Sequence, residues 1–164
     1  NAKLDFHVDG ADITTLICFN KAKSGGQSMI SSGVTANNFF LKENPDLADT
    51  AEQHFYFSRQ NEQADDEAAF YGQPLFEHEG GNLFCKWNRN RVQSAQKLAH
   101  VPKLTELQKK TMDVLDEIIM RPELMYTMYL EPGDMQILNN YTMVMDYLLV
   151  NDKQDQNLPL EIRK

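Results

Sequence analysis

His7 and Asp9 stand two residues apart in KLDFHVDGAD, residues 3–12, just ahead of an apolar run. In an extended segment residues i and i+2 point to the same side, so an imidazole and a carboxylate at this spacing converge on one point in space. Such a pair can grip a divalent cation, and a second His from a later strand would complete a facial triad with open positions for oxygen chemistry. By itself H-x-D does not specify a metal, because a surface His beside a turn-forming Asp before Gly10 is spelled the same way. Arg89 and Arg91, in WNRNR, have the planar donors to meet an anionic substrate bidentately, with solvated surface charge as the plainer reading. His54 and His78 fall in strand-like segments and His100 in a loop before Pro102, where structural or solvated roles are the ordinary ones. Trp87 reads as core or pocket wall, and the eight methionines as core filler.

The elements that must position these residues are mostly short strands. DITTLICF, residues 12–19, is rich in β-branched and aromatic side chains and reads as a buried strand, and QSMISS follows Gly25 and Gly26 as a second. TANNFFLKENPDL predicts a helix capped by Thr35 and ended near Asn44 by Pro45. HFYFSR is strand-like, and the polar QNEQADDEAA after it is a solvated loop. In PLFEHEGGNLFCKWN the pair Gly80 and Gly81 permits a tight hairpin turn, placing Leu83, Cys85 and Trp87 on one face. Thr105 and Gln108 spell a capping box for a helix whose apolar stripe is Leu107, Val114, Leu115, Ile118 and Ile119 and which Pro122 terminates. Strand-like LMYTMYLE, a PGD turn and MQILNNYTMVM close the pattern. Short strands punctuated by glycine predict a mainly β fold, a sandwich or rolled barrel with peripheral helices.

The totals fit one domain over residues 1–164, with 41% hydrophobic and 24% charged residues. A formal net charge of -8 argues against nucleic acid and anionic membrane as partners, since both demand a cationic surface. No apolar run approaches the roughly 20 residues of a bilayer span. Cys18 and Cys85 form no CxxC, which predicts reduced thiols in a cytoplasmic protein.

LDFHVDGADITTLICFNKAKSGGQSMISS, FCKWNRNRVQSAQ and YLEPGDMQILNNYTM occur in the order found in the TauD/TfdA family of iron(II)- and 2-oxoglutarate-dependent dioxygenases, and the chain resembles that family from about Lys3 to Met145. The resemblance implies a double-stranded β-helix (jelly-roll), with His7 and Asp9 as two ligands of Fe(II) and as the catalytic pair. It implies that Ser28 donates to a carboxylate of 2-oxoglutarate. The partners it implies are a small organic substrate, anionic if Arg89 and Arg91 meet it, and dioxygen; it leaves room for a homo-oligomer.

The chain departs from the family after NNYTM. No His follows His100, and Arg163 is the one Arg after Arg121, whereas the family carries a distal His and a cosubstrate-binding Arg there. Met145 takes the place of the distal His, and a thioether is a poor ligand for ferrous iron. The expectation is therefore a segment missing between Met145 and Asp146, a helical insertion around 89–121, and the family's first strands absent before H-x-D. The alternative is a catalytically impaired β-helix that binds or scaffolds without the full metal triad; a cupin-like sandwich fits the composition but not the ordered segments.

Overall fold

The computed structural model describes residues 6–22 and 25–147. Nine strands and four α-helices occur among them: β1 Ile13–Ile17, β2 Gln27–Ser32, α1 Gly33–Glu43, α2 Ala48–Ala51, β3 Phe55–Ser58, β4 Phe70–Gln73, β5 Phe76–Glu79, β6 Asn82–Cys85, α3 Arg89–Ala95, α4 Glu106–Ile119, β7 Met125–Tyr129, β8 Met135–Asn139 and β9 Met143–Tyr147. The strands form antiparallel sheets in the orders β1-β8, β7-β2-β9, β3-β4 and β5-β6.

The first two sheets face each other. Directly opposed antiparallel residues share a face, so the register Ile30↔Met145 and Ser32↔Met143 puts Ser28, Ile30, Ser32, Met143 and Met145 on one side of the larger sheet. A buried hydrogen bond from Ser28 Oγ to Gln136 Oε1, 2.6 Å long, marks that side as the one turned towards β8. The reverse side carries Met29 and Val144, which join Phe40 of α1 and Leu115, Ile118 and Ile119 of α4 in the main hydrophobic core. Burying a Leu or Phe side chain there stabilises by about 1.5–3 kcal/mol, so this helix layer is what holds the larger sheet in place.

Several elements follow the sequence closely, and their exceptions have local causes. The glycine hairpin forms, with Gly80 and Gly81 at φ 58° and 80°, and Cys85 and Trp87 are buried. The Thr105 capping box is present in full, with Gln108 N reaching Thr105 Oγ1 at 3.1 Å and Thr105 N reaching Gln108 Oε1 at 3.0 Å. Leu107, however, is exposed, because the buried face of α4 runs through Gln108, Thr111, Met112 and Leu115. The cap of α1 is Ser32 rather than Thr35, whose backbone N–H donates to Ser32 Oγ at 3.1 Å, so the helix starts nearly a full turn earlier. The strand read as buried over 12–19 is one-sided: Ile13, Ile17 and Phe19 are exposed while Thr14 and Leu16 turn inward.

Both cysteines are free thiols, Cys85 buried and Cys18 half-buried, and burial pushes the Cys85 thiol up to about 12. No helix among the described residues is long and apolar enough to cross a membrane. Gly33 is where α1 docks: its N–H donates to Thr142 O at 2.8 Å, and a Cβ there would lie 2.9 Å from Cys85 Cβ and 3.3 Å from Thr142 O. Gly33→Ala is therefore expected to destabilise the fold by about 1–3 kcal/mol in urea unfolding, the usual cost of forcing a methyl into packed backbone; an unchanged midpoint would mean that α1 does not dock this closely.

Candidate metal and cosubstrate site

His7 lies in an extended stretch inserted between two others. Its N–H donates to Met145 O and its carbonyl accepts from Met145 N, both at 2.9 Å, while Val8 N donates to Trp87 O at 2.7 Å on the other side. The two residues of a directly opposed antiparallel pair project to the same face, so the His7 imidazole is on the side of Met145 and Ile30, facing the space between the two sheets. Phe6 and Val8, the alternate residues, pack into or against the core behind.

Asp9 follows on the same side, and the two side chains meet: His7 Nε2 is 3.7 Å from Asp9 Oδ1. Both stay accessible, at 29% and 50% exposure, as a site reached from solvent requires. An ion held at about 2.1 Å from each of a nitrogen and an oxygen donor can bridge a separation of up to about 4.2 Å, so the pair fits a shared divalent cation. Among the described residues no third His, Cys, Asp or Glu completes a cluster around a metal.

The loop carrying Asp9 is clamped by the turn between β8 and β9. Asn140 is buried, and its Nδ2 donates to Ala11 O at 2.8 Å and to Thr14 Oγ1 at 2.6 Å; its backbone N–H donates to Asp12 O at 3.1 Å. Thr14 Oγ1 in turn donates to Asp9 Oδ2 at 3.5 Å. Tyr141 OH donates to Asp12, a bond that is the main cause holding the phenol above its usual range. Outer contacts of this kind orient a ligating carboxylate. Neither Thr14 nor Asn140 is signalled by a motif, since both act through the fold of a distant turn.

Ser28 is inside the barrel, 2% exposed, with its hydroxyl on Gln136. The two arginines, in contrast, have carboxylate partners within the chain. Arg89 reaches Asp113 at 2.6 Å and Asp116 at 2.5 Å, and its guanidinium lies 5.8 Å from the centre of the Trp87 ring. Arg91 binds Glu62 at 3.0 Å and Ser58 O at 3.3 Å. These contacts tie α3 against α4 and the β3 loop. His54 accepts a bond at its carbonyl from Gln108, His78 lies on the exposed hairpin, and His100 has φ 67° in a surface loop.

Residues 1–144 match the family described as taurine catabolism dioxygenase TauD, TfdA family. FR-33289 synthase of Streptomyces rubellomurinus is 32% identical over 157 residues, covering 94% of this chain and 46% of the relative. Taurine hydroxylase-like protein SAT17 of Stachybotrys chartarum is 24% identical over 147 residues, 86% of this chain and 36% of the relative. Among solved structures, asparagine oxygenase in complex with Fe(II), 2S,3S-3-hydroxyasparagine and succinate superposes with a TM-score of 0.66 at 15% identity, over 93% of this chain and 46% of its own. The non-heme iron oxygenase OrfP in complex with Fe and alpha-ketoglutaric acid gives 0.59 at 12% identity, over 89% and 44%. The chain spans less than half the length of the curated relatives it matches. Its two facing sheets are those of a double-stranded β-helix. By its sequence the chain belongs to the TauD/TfdA family.

The side chains of Arg89 and Asp116 are only 11% and 16% exposed. Arg89→Ala is accordingly expected to lower stability by about 1–3 kcal/mol, between the values for exposed and buried ion pairs. A variant with unchanged melting but weakened ligand binding would return Arg89 to the substrate.

Proposed function

We propose that this chain carries the metal-binding part of an iron(II)- and 2-oxoglutarate-dependent dioxygenase that hydroxylates or oxidises a small organic substrate. The observation that supports this most directly is the convergence of His7 Nε2 and Asp9 Oδ1 at 3.7 Å on the lip of the barrel. The relatives' iron and 2-oxoacid ligands point the same way. His7 and Asp9 would hold the metal. When bound, iron(II) supplies the dioxygen activation coupled to decarboxylation of 2-oxoglutarate to succinate, which side chains alone cannot carry out.

The chain's own residues have defined tasks in this reading. The paired backbone of His7 and Met145 fixes the imidazole, Thr14 and Asn140 restrain the carboxylate of Asp9, and Ser28 belongs to the cosubstrate pocket. The third metal donor and the cosubstrate Arg would come from a segment inserted between Met145 and Asp146, which are consecutive in this chain. In the present chain that peptide bond lies within β9, opposite Ile30 and Met29, and Met145 is the backbone partner of His7. An imidazole entering at this position would approach the metal from the side of β9. Two unpaired cysteines and a ferrous cofactor suit a reducing, cytoplasmic location.

The second reading, a β-helix that binds or scaffolds with a crippled site, draws on the lack of a third donor among the described residues. The intact mass of the native protein against 18.9 kDa, together with succinate formation from 2-oxoglutarate, separates the two. The enzyme reading expects a heavier product with His and Arg after Met145, and a loss in turnover for Asp9→Ala of more than about 100-fold, since removing a ligand exceeds what changes in the outer shell produce. Equal rates in the variant and the wild type would remove Asp9 from the mechanism, and an 18.9 kDa product that makes no succinate would establish the second reading.

A further inference from the structure

Gln136 is an inward-facing residue of β8, 7% exposed, between the exposed side chains of Met135 and Ile137. Its Oε1 accepts the hydrogen bond from Ser28 Oγ at 2.6 Å, and its Nε2 is buried without a hydrogen-bond partner. An unpaired amide donor in a protein interior costs about 1–3 kcal/mol, so it calls for an explanation. Ser28 has one hydroxyl hydrogen, and that hydrogen is committed to Gln136. The bond also fixes the amide's orientation, turning the NH2 group away from Ser28. The available donor in this part of the barrel is therefore Gln136 Nε2 rather than the serine hydroxyl.

The position relative to the metal donors follows from register. Ser28 is two residues along β2 from Ile30, Ile30 pairs with Met145, and Met145 pairs with His7, all on one face. At about 3.3 Å per residue and about 4.8 Å between strands, the Cα atoms of Ser28 and His7 are roughly 12 Å apart. With a side chain reaching in from each end, the remaining gap suits a short dicarboxylate chelated at one end by the metal.

We propose that Gln136 Nε2 donates to the carboxylate of the organic-acid cosubstrate that lies farther from the metal, and that Ser28 acts as a positioning residue by orienting the amide. This rests on the reading of 2-oxoglutarate as cosubstrate. A neutral amide binds a carboxylate less strongly than a guanidinium does, so the contribution is one of placement and moderate affinity.

Calorimetric titration of the full chain, loaded with Mn(II), with 2-oxoglutarate and with 2-oxopentanoate tests the assignment, because the second compound keeps the chelating end and lacks the far carboxylate. Gln136→Leu is expected to weaken 2-oxoglutarate about tenfold, Gln136→Glu to weaken it further by repulsion between carboxylates, and Ser28→Ala to weaken it less. Affinity for 2-oxopentanoate should be the same in Gln136→Leu as in wild type. Equal 2-oxoglutarate affinity in wild type and Gln136→Leu overturns the role of Gln136 and leaves the proposed function standing. A parallel loss for both compounds also overturns it, since that pattern reports general damage. Failure of the wild type to bind 2-oxoglutarate while retaining Mn(II) overturns the cosubstrate reading, and the role of Gln136 with it.

Discussion

The two backbone hydrogen bonds between His7 and Met145 are the constraint on which the site depends. They make a residue just outside the first named strand part of the larger sheet, and they decide which way its imidazole points. Slipping that pairing by one residue would turn His7 into the core and Phe6 or Val8 into the barrel. The slip is opposed from behind by the burial of Phe6 among the core residues and from the far side by the bond between Val8 and Trp87. The direction of the His7 side chain is therefore a consequence of apolar packing by its immediate neighbours, Phe6 and Val8.

The second control is the turn after β8. Asn140 satisfies the carbonyl of Ala11 and the hydroxyl of Thr14, and so ties the loop that follows Asp9 to the strand that leads to Met145. One turn thus restrains both halves of the donor pair, His7 through β9 and Asp9 through Thr14. Breaking it would loosen His7 and Asp9 together, the way an outer contact can govern side chains that it does not adjoin.

Local chemistry made much of the fold legible. The glycine pair, the Thr105 capping box and the stop at Asn44 depend on a few neighbouring residues, and all three stand where the residues put them. The misread cap at Thr35 and the exposed Leu107 share another cause: the packing of α1 and α4 against the larger sheet, not the local pattern, decides where each helix starts and which face it buries. In the site, H-x-D could be read because its two members are close in sequence. Gln136 could not. Along β8 the apolar Met135 and Ile137 face out while Gln136 and Leu138 face in, so simple alternation points the wrong side of that strand inward. Arg89 and Arg91 illustrate the converse, since their carboxylate partners lie 24 and 29 residues away and nothing near them in sequence reveals the pairing.

The proposed site stands or falls on whether one cation is shared by two side chains. A crystal of the protein soaked in Mn(II) and measured for anomalous scattering addresses this directly. The expected result is a single strong peak bonded to both His7 Nε2 and an Asp9 carboxylate oxygen, at roughly 2.1–2.3 Å from each. A peak elsewhere, or His7 and Asp9 side chains that diverge with no density between them at saturating metal, would contradict it.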